Sequence, residues 1–150
     1  MTREGIVLPF CRYVRFSGGP AMPTEVEVDP SPGGPIVDHL ISRFSQEGVQ
    51  VLGHEDLQYA HELHCQVGVR CYSVLVAFDW ITMGHWEIFW PKTVGFIGQL
   101  FGKSEESELR TLAYAVEQAL LCLSDIQEKR WYREYSTKIT SETPYAISPG

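Results

Sequence analysis

Basic residues are in short supply in this chain. Its 12 Lys and Arg stand against 19 Asp and Glu, for a formal net charge of −7 at pH 7 and a pI of about 5.2. Proteins that read phosphates use Lys and Arg to release condensed counterions, so this balance argues against a nucleic-acid partner. It argues equally against an anionic membrane surface, which attracts polybasic segments. No stretch approaches the ~20 consecutive apolar residues of a membrane span. The apolar run at residues 6–10 is too short for a signal peptide and is followed by Arg12 and Arg15, so none is expected. Cysteine is sparse too. The four thiols, Cys11, Cys65, Cys71 and Cys122, form no C-x-x-C pair. Reduced thiols and a cytoplasmic location are the expectation, with no disulfide.

Familiar chemical motifs are also missing. No G-x-S-x-G elbow announces a hydrolase nucleophile. Gly95, Gly98 and Gly102 compose no G-x-G-x-x-G, and Gly102-Lys103-Ser104 lacks the upstream glycine of a phosphate-binding loop. His61-Glu62-Leu63-His64 spaces its histidines at i and i+3, where a zinc-protease helix needs i and i+4. On a strand they point to opposite faces, which makes one a core histidine and the other a surface one. No catalytic residues, metal ligands or cofactor are therefore assigned.

What is present suits one globular domain. The chain has 150 residues, 44% hydrophobic and 21% charged. A domain of this size buries roughly 70% of the surface its unfolded chain exposes, so it needs neither disulfide nor metal to fold. Residues 1–21, punctuated by Pro, Gly and Ser, read as an N-terminal extension, with Met22 as an alternative native start. Residues 22–135 read as the α+β domain and residues 136–150 as a flexible tail. Within the domain, residues 23–29 alternate like a short strand. Residues 35–47 carry the helical stripe Ile36, Val37, Leu40, Ile41 and Phe44, opened by Pro35 and stopped by Gly48.

Residues 49–52 lead into the sheet. Residues 56–65, 70–80 and 86–90 read as three strands. The second helix starts at a Ser104 N-cap and carries Leu109, Leu112, Ala113, Val116, Ala119, Leu120 and Leu123 on one face. Residues 127–135 read as the last strand. Short connections between the middle strands imply an antiparallel meander, so the expected fold is a two-layer α+β sandwich with both helices on one sheet face.

A sheet covered on one side must align its apolar residues across strands. Setting Leu57 opposite Phe78, Tyr59 opposite Val76, Phe78 opposite Ile88 and Val76 opposite Trp90 does so. Trp80 then meets Trp86. The helix-facing core is Leu57, Tyr59, Leu63, Val74, Val76, Phe78, Ile88 and Trp90, and the tryptophans, Trp131 included, read as core rather than as a sugar-stacking platform. Cys65 and Cys71 fall on opposite faces, which disfavours a bridge between them. On the outer face Asp56, Asp79 and Glu87 form a carboxylate row, with His54 and His85 in the flanking loops. Like charges placed opposite one another repel, so such a row is either a solvated edge or a site, and Asp79→Asn is expected to stabilise the protein slightly.

In size, charge and α+β organisation the chain resembles the small acidic bacterial immunity proteins, which neutralise a cognate toxin by binding it. No shared motif carries that resemblance. It implies a non-catalytic protein-binding domain. The acidic outer face read from the registers, with Asp56, Asp79, Glu87, His54 and His85, is then the surface set against a basic protein partner. The alternative is a small metal-dependent hydrolase using the same Asp, Glu and His side chains, with oxygen ligands suited to Mg or Mn and histidine favouring Zn.

Overall fold

The computed structural model describes residues 11–18, 33–79, 84–90, 102–123, 125–133, 135–136, 139 and 142–149, with the side chains of the second helix described from Ser107 onward. Among the described residues, six strands form one antiparallel sheet: β1 (Tyr13–Gly18), β2 (Gln50–Asp56), β3 (Ala60–Val67), β4 (Arg70–Phe78), β5 (Trp86–Phe89) and β6 (Ile126–Tyr132). Helices α1 (Gly34–Phe44) and α2 (Gly102–Leu121) pack on its inner face, and the spatial strand order is β2-β3-β4-β5-β1-β6. The α+β sandwich expected from the sequence is the architecture found, with a four-strand meander, β2 to β5, extended by β1 and β6.

Period-2 alternation builds the inner face. Leu63, Cys65, Val67, Tyr72, Val74, Val76, Phe78, Trp86, Ile88 and Trp131 are buried there beneath Ile36, Val37, Leu40 and Phe44 of α1 and Leu109, Leu112, Ala113, Val116, Ala119 and Leu120 of α2. Each fully buried Leu, Val or Ile side chain contributes ~1.5–3 kcal/mol. Trp86, Trp90 and Trp131 are buried in this core, as expected, while Trp80 lies outside the described residues. Two glutamates of α2 are drawn into the core and paired. Glu108 accepts from Arg70 Nη1 and Tyr72 Oη, both at 2.9 Å, and from the Val69 amide at 3.2 Å. Glu117 accepts from Lys129 Nζ at 2.6 Å and from the Trp131 indole at 3.0 Å. These pairs tie α2 to the β3–β4 hairpin and to β6.

The register differs from the expected one by two residues, a shift that preserves which face every side chain takes. His61 pairs with Val76 and Cys65 with Tyr72, and Val76 pairs with Ile88 and Phe78 with Trp86. The cause is the turn. Val67 pairs with Arg70, leaving a two-residue hairpin whose first central position, Gly68, sits at φ 63. Glycine with positive φ there, followed by an ordinary Val69, is a type II′ turn, whose twist matches the flanking strands. Because faces are preserved, Cys65 is buried, Cys71 is exposed, and all four cysteines are free thiols.

Residues 56–65 are not one strand. Asp56 Oδ1 accepts from the Gln58 amide at 2.8 Å, Gln58 adopts φ 74, and the Leu57 amide donates to Ala60 O. That side-chain-assisted turn ends β2 and starts β3. Leu57 and Tyr59 therefore leave the core, and Tyr59 is exposed. Helix α1 continues through a 3-10 turn (Ser45–Glu47) to the expected stop at Gly48. Helix α2 begins at Gly102, so Ser104 is inside it rather than its N-cap. The strand expected at residues 23–29 lies outside the described residues, as does Met22.

Residues 11–18, which the sequence reading assigns to an extension, lie inside the sheet. Strand β1 pairs with β5 on one side and β6 on the other, with Val14 and Phe16 fully buried. The last residues are held as well: Ala146 and Trp131 exchange backbone hydrogen bonds, and the Cys11 amide donates to Pro149 O. Among the described residues, no helix is long and apolar enough to cross a membrane.

Candidate functional site

The outer sheet face, opposite the helices, carries the chemistry. Alternation on β1 sends Tyr13 and Arg15 there, opposite Phe89 and Glu87 of β5. Asp79 follows β4, and its amide donates to His85 O across the turn. These neighbours make one compact cluster. Arg15 Nη2 donates to Asp79 Oδ2 at 2.9 Å, Arg15 Nε lies 3.8 Å from Glu87 Oε1, and Tyr13 Oη donates to Glu87 Oε1 at 2.7 Å. His85 Nε2 stands 3.9 Å from Glu128 Oε2 at the rim. Beside the cluster, Tyr135 stacks on Phe89 with ring centroids 4.3 Å apart and meets the Tyr13 ring edge-on at 5.3 Å. Arg130 lies 4.6 Å over the Tyr145 ring.

Burial sets the protonation of this cluster. Desolvation raises the Glu87 carboxyl above its ordinary value and Asp79 adds to the rise, while the Tyr13 hydrogen bond and Arg15 oppose it. Desolvation, with Arg15 beside it, lowers the His85 imidazole. Tyr13 is raised by burial and by its hydrogen bond to Glu87.

Of the five residues singled out from sequence, the structure gathers Asp79, Glu87 and His85 and leaves Asp56 and His54 apart. Asp56 pairs with His61 across β2 and β3 on the helix-facing side, and His54 Nε2 lies 2.8 Å from His61 Nδ1. The predicted row of three carboxylates does not form. The two-residue register shift sets Ala77, not Asp79, opposite Glu87. Arg15, not repulsion, governs what remains, so Asp79 is a paired residue and the expected gain of stability from Asp79→Asn is withdrawn. The five side chains make no common metal site, because they occupy opposite sheet faces.

Sequence reasoning missed Arg15, Tyr13 and Tyr135. The available signal was the alternation Val14-Arg15-Phe16, which is strand-like but sits among Pro and Gly. The His61/His64 reading stands: His61 is buried and faces the helices, whereas His64 faces outward near Glu55 and Glu62. Comparison with protein-family models, with curated proteins and with solved structures finds no match for this chain.

Proposed function

We propose that this chain is a non-catalytic protein-binding domain that presents its outer sheet face to a basic partner, in the manner of an immunity-type inhibitor. One observation carries the reading. Among the described residues of that face and its rim, the carboxylates Glu55, Glu62, Asp79, Glu87 and Glu128 outnumber the guanidiniums Arg15 and Arg130, and an exposed Tyr135 stands beside them. Tyrosine at the centre of a surface patch is a common energetic anchor, and surrounding charge of one sign selects and steers a partner of the other. The internal pairing of Arg15 with Asp79 and Glu87 favours a rigid docking surface over a reactive centre, since each group already has a counter-charge. Four free thiols suit a reducing compartment such as the cytoplasm.

The test uses variants at exposed positions that do not carry the fold. Affinity capture with the wild-type chain should retain a basic protein, and Tyr135→Ala with Glu128→Gln should weaken its binding. The association rate for that partner should fall steeply as salt rises from about 50 to 500 mM. Binding that ignores both the variants and ionic strength would overturn the reading.

A further inference from the structure

We propose that Glu55, Glu62 and His64 form a binding site for one divalent ion of the zinc or manganese class on the outer face of the β2–β3 hairpin. Each offers a ligand atom, and the three atoms lie within 4.8 Å of one another. His64 Nε2 is 3.2 Å from Glu55 Oε1 and 3.4 Å from Glu62 Oε1. Ligand atoms sharing one tetrahedral zinc at bonds of about 2.05 Å stand about 3.3 Å apart, so the imidazole already has the spacing of a common coordination sphere to both carboxylates.

The backbone explains why the three converge. Glu55 pairs directly with Glu62, and Gly53 pairs with His64, after a bulge between Val51 and Gly53. Val51 faces the helices opposite Cys65, so in an unbroken strand Glu55 would face the helices too. The extra residue of the bulge turns Glu55 outward onto Glu62, and bulges commonly re-aim side chains in this way. The His64 ring lies against Gly53 of β2, where a Cβ would stand 3.6 Å from His64 Cδ2, an ordinary van der Waals contact. Two carboxylates set directly opposite one another repel, and a cation between them removes that cost.

The donor set selects the ion. Two carboxylates with one imidazole suit Zn or Mn, whereas Ca needs more oxygen ligands and Mg keeps most of its waters. Three protein ligands on an accessible surface leave further positions for water or an incoming donor. The site shares Glu55 and Glu62 with the acidic face of the protein-binding reading but uses neither Tyr135 nor Glu128, the positions whose variants test that reading, so the failure of one is distinguishable from the failure of the other.

The test is calorimetry on the full chain after chelator treatment, titrated with ZnCl2 and, separately, MnCl2. The exposed thiols Cys71 and Cys122 compete for zinc, so both are first replaced by serine. One ion per chain is expected, with affinity falling on acidification, because protons compete with the metal for the ligand atoms. Glu55→Gln, Glu62→Gln and His64→Ala should each weaken binding more than about a hundredfold, beyond the roughly 10–100-fold lost with a group that merely supports a ligand. In the Mn titration, the amide resonances of Gly53 and Ser73, the two residues paired with His64, should broaden first. Absence of saturable binding at about 1 mM of either ion, or an affinity unchanged in all three variants, would overturn the site. Circular dichroism melts of the variants verify that any loss reports ligation rather than unfolding.

Discussion

Replacing Glu108 by alanine tests how α2 is held. Its carboxylate is the acceptor for Arg70 Nη1, Tyr72 Oη and the Val69 amide. The Arg70 and Glu108 side chains are 4% and 11% exposed, so solvent screens the pair little. Removing one partner of such a pair costs about 3–5 kcal/mol, chiefly because the remaining charge stays where water cannot reach it. Against a typical domain stability of ~5–15 kcal/mol this is a large fraction. Since ~1 kcal/mol shifts the melting temperature of a domain this size by about 2–4 °C, a fall on the order of 10 °C should accompany it. Urea unfolding measures the loss as a lower midpoint with unchanged slope. The double variant Arg70→Met with Glu108→Leu should lose less than the two single variants added together, because neither charge is then stranded. A loss below about 1 kcal/mol for Glu108→Ala would refute the reasoning, since it would make the buried ion pair no stronger than a solvated surface one.

Asp79→Asn breaks the half-buried pair with Arg15 and should destabilise by about 1–3 kcal/mol, while a neutral or stabilising effect by urea unfolding would show that this pair contributes no net stability. Glu87 binds a proton more tightly in the folded chain than in the unfolded one, because burial raises it. The wild type should therefore lose stability relative to Glu87→Gln as pH rises through the window from the ordinary glutamate value to the raised one, and unfolding curves at several pH values from about 4 to 7 would expose a flat difference as contrary evidence. Burial pushes the Cys11 thiol up to about 11 and the Cys65 thiol up to about 12. Iodoacetamide at neutral pH should therefore modify Cys71 and Cys122 rapidly and reach Cys11 and Cys65 only after denaturation, and fast labelling of all four by mass spectrometry would contradict the fold. Deleting residues 1–21 removes the strand between β5 and β6 and should abolish cooperative melting; a soluble, cooperatively melting truncation would show β1 to be dispensable.

Local patterns carried much of the architecture. The stripes Ile36-Val37-Leu40-Phe44 and Leu109-Leu112-Ala113-Val116-Ala119-Leu120 need only a 3.6-residue period to declare helices with one buried face, and both are buried as read. Alternation in residues 61–65, 70–78 and 86–90 assigned each side chain to its face, which is why Cys65 and Cys71 were separated correctly even with the pairing two residues out. A two-residue slip is invisible to a period of two. What escaped the sequence depends on contacts between distant segments or on backbone choices at single residues. The turn at residues 57–59 hides in the alternation because Leu57 and Tyr59 keep the strand's parity, and only the Asp56 side chain and the positive φ of Gln58 break the chain there. Arg15 gains meaning only when β1 is inserted between β5 and β6, far along the chain, so its pairing with Asp79 and Glu87 had no local signature. Likewise the bulge at Val51/Gly53 turns Glu55 onto Glu62 and His64, a one-residue change of register that hydrogen bonding between strands decides and side-chain pattern does not.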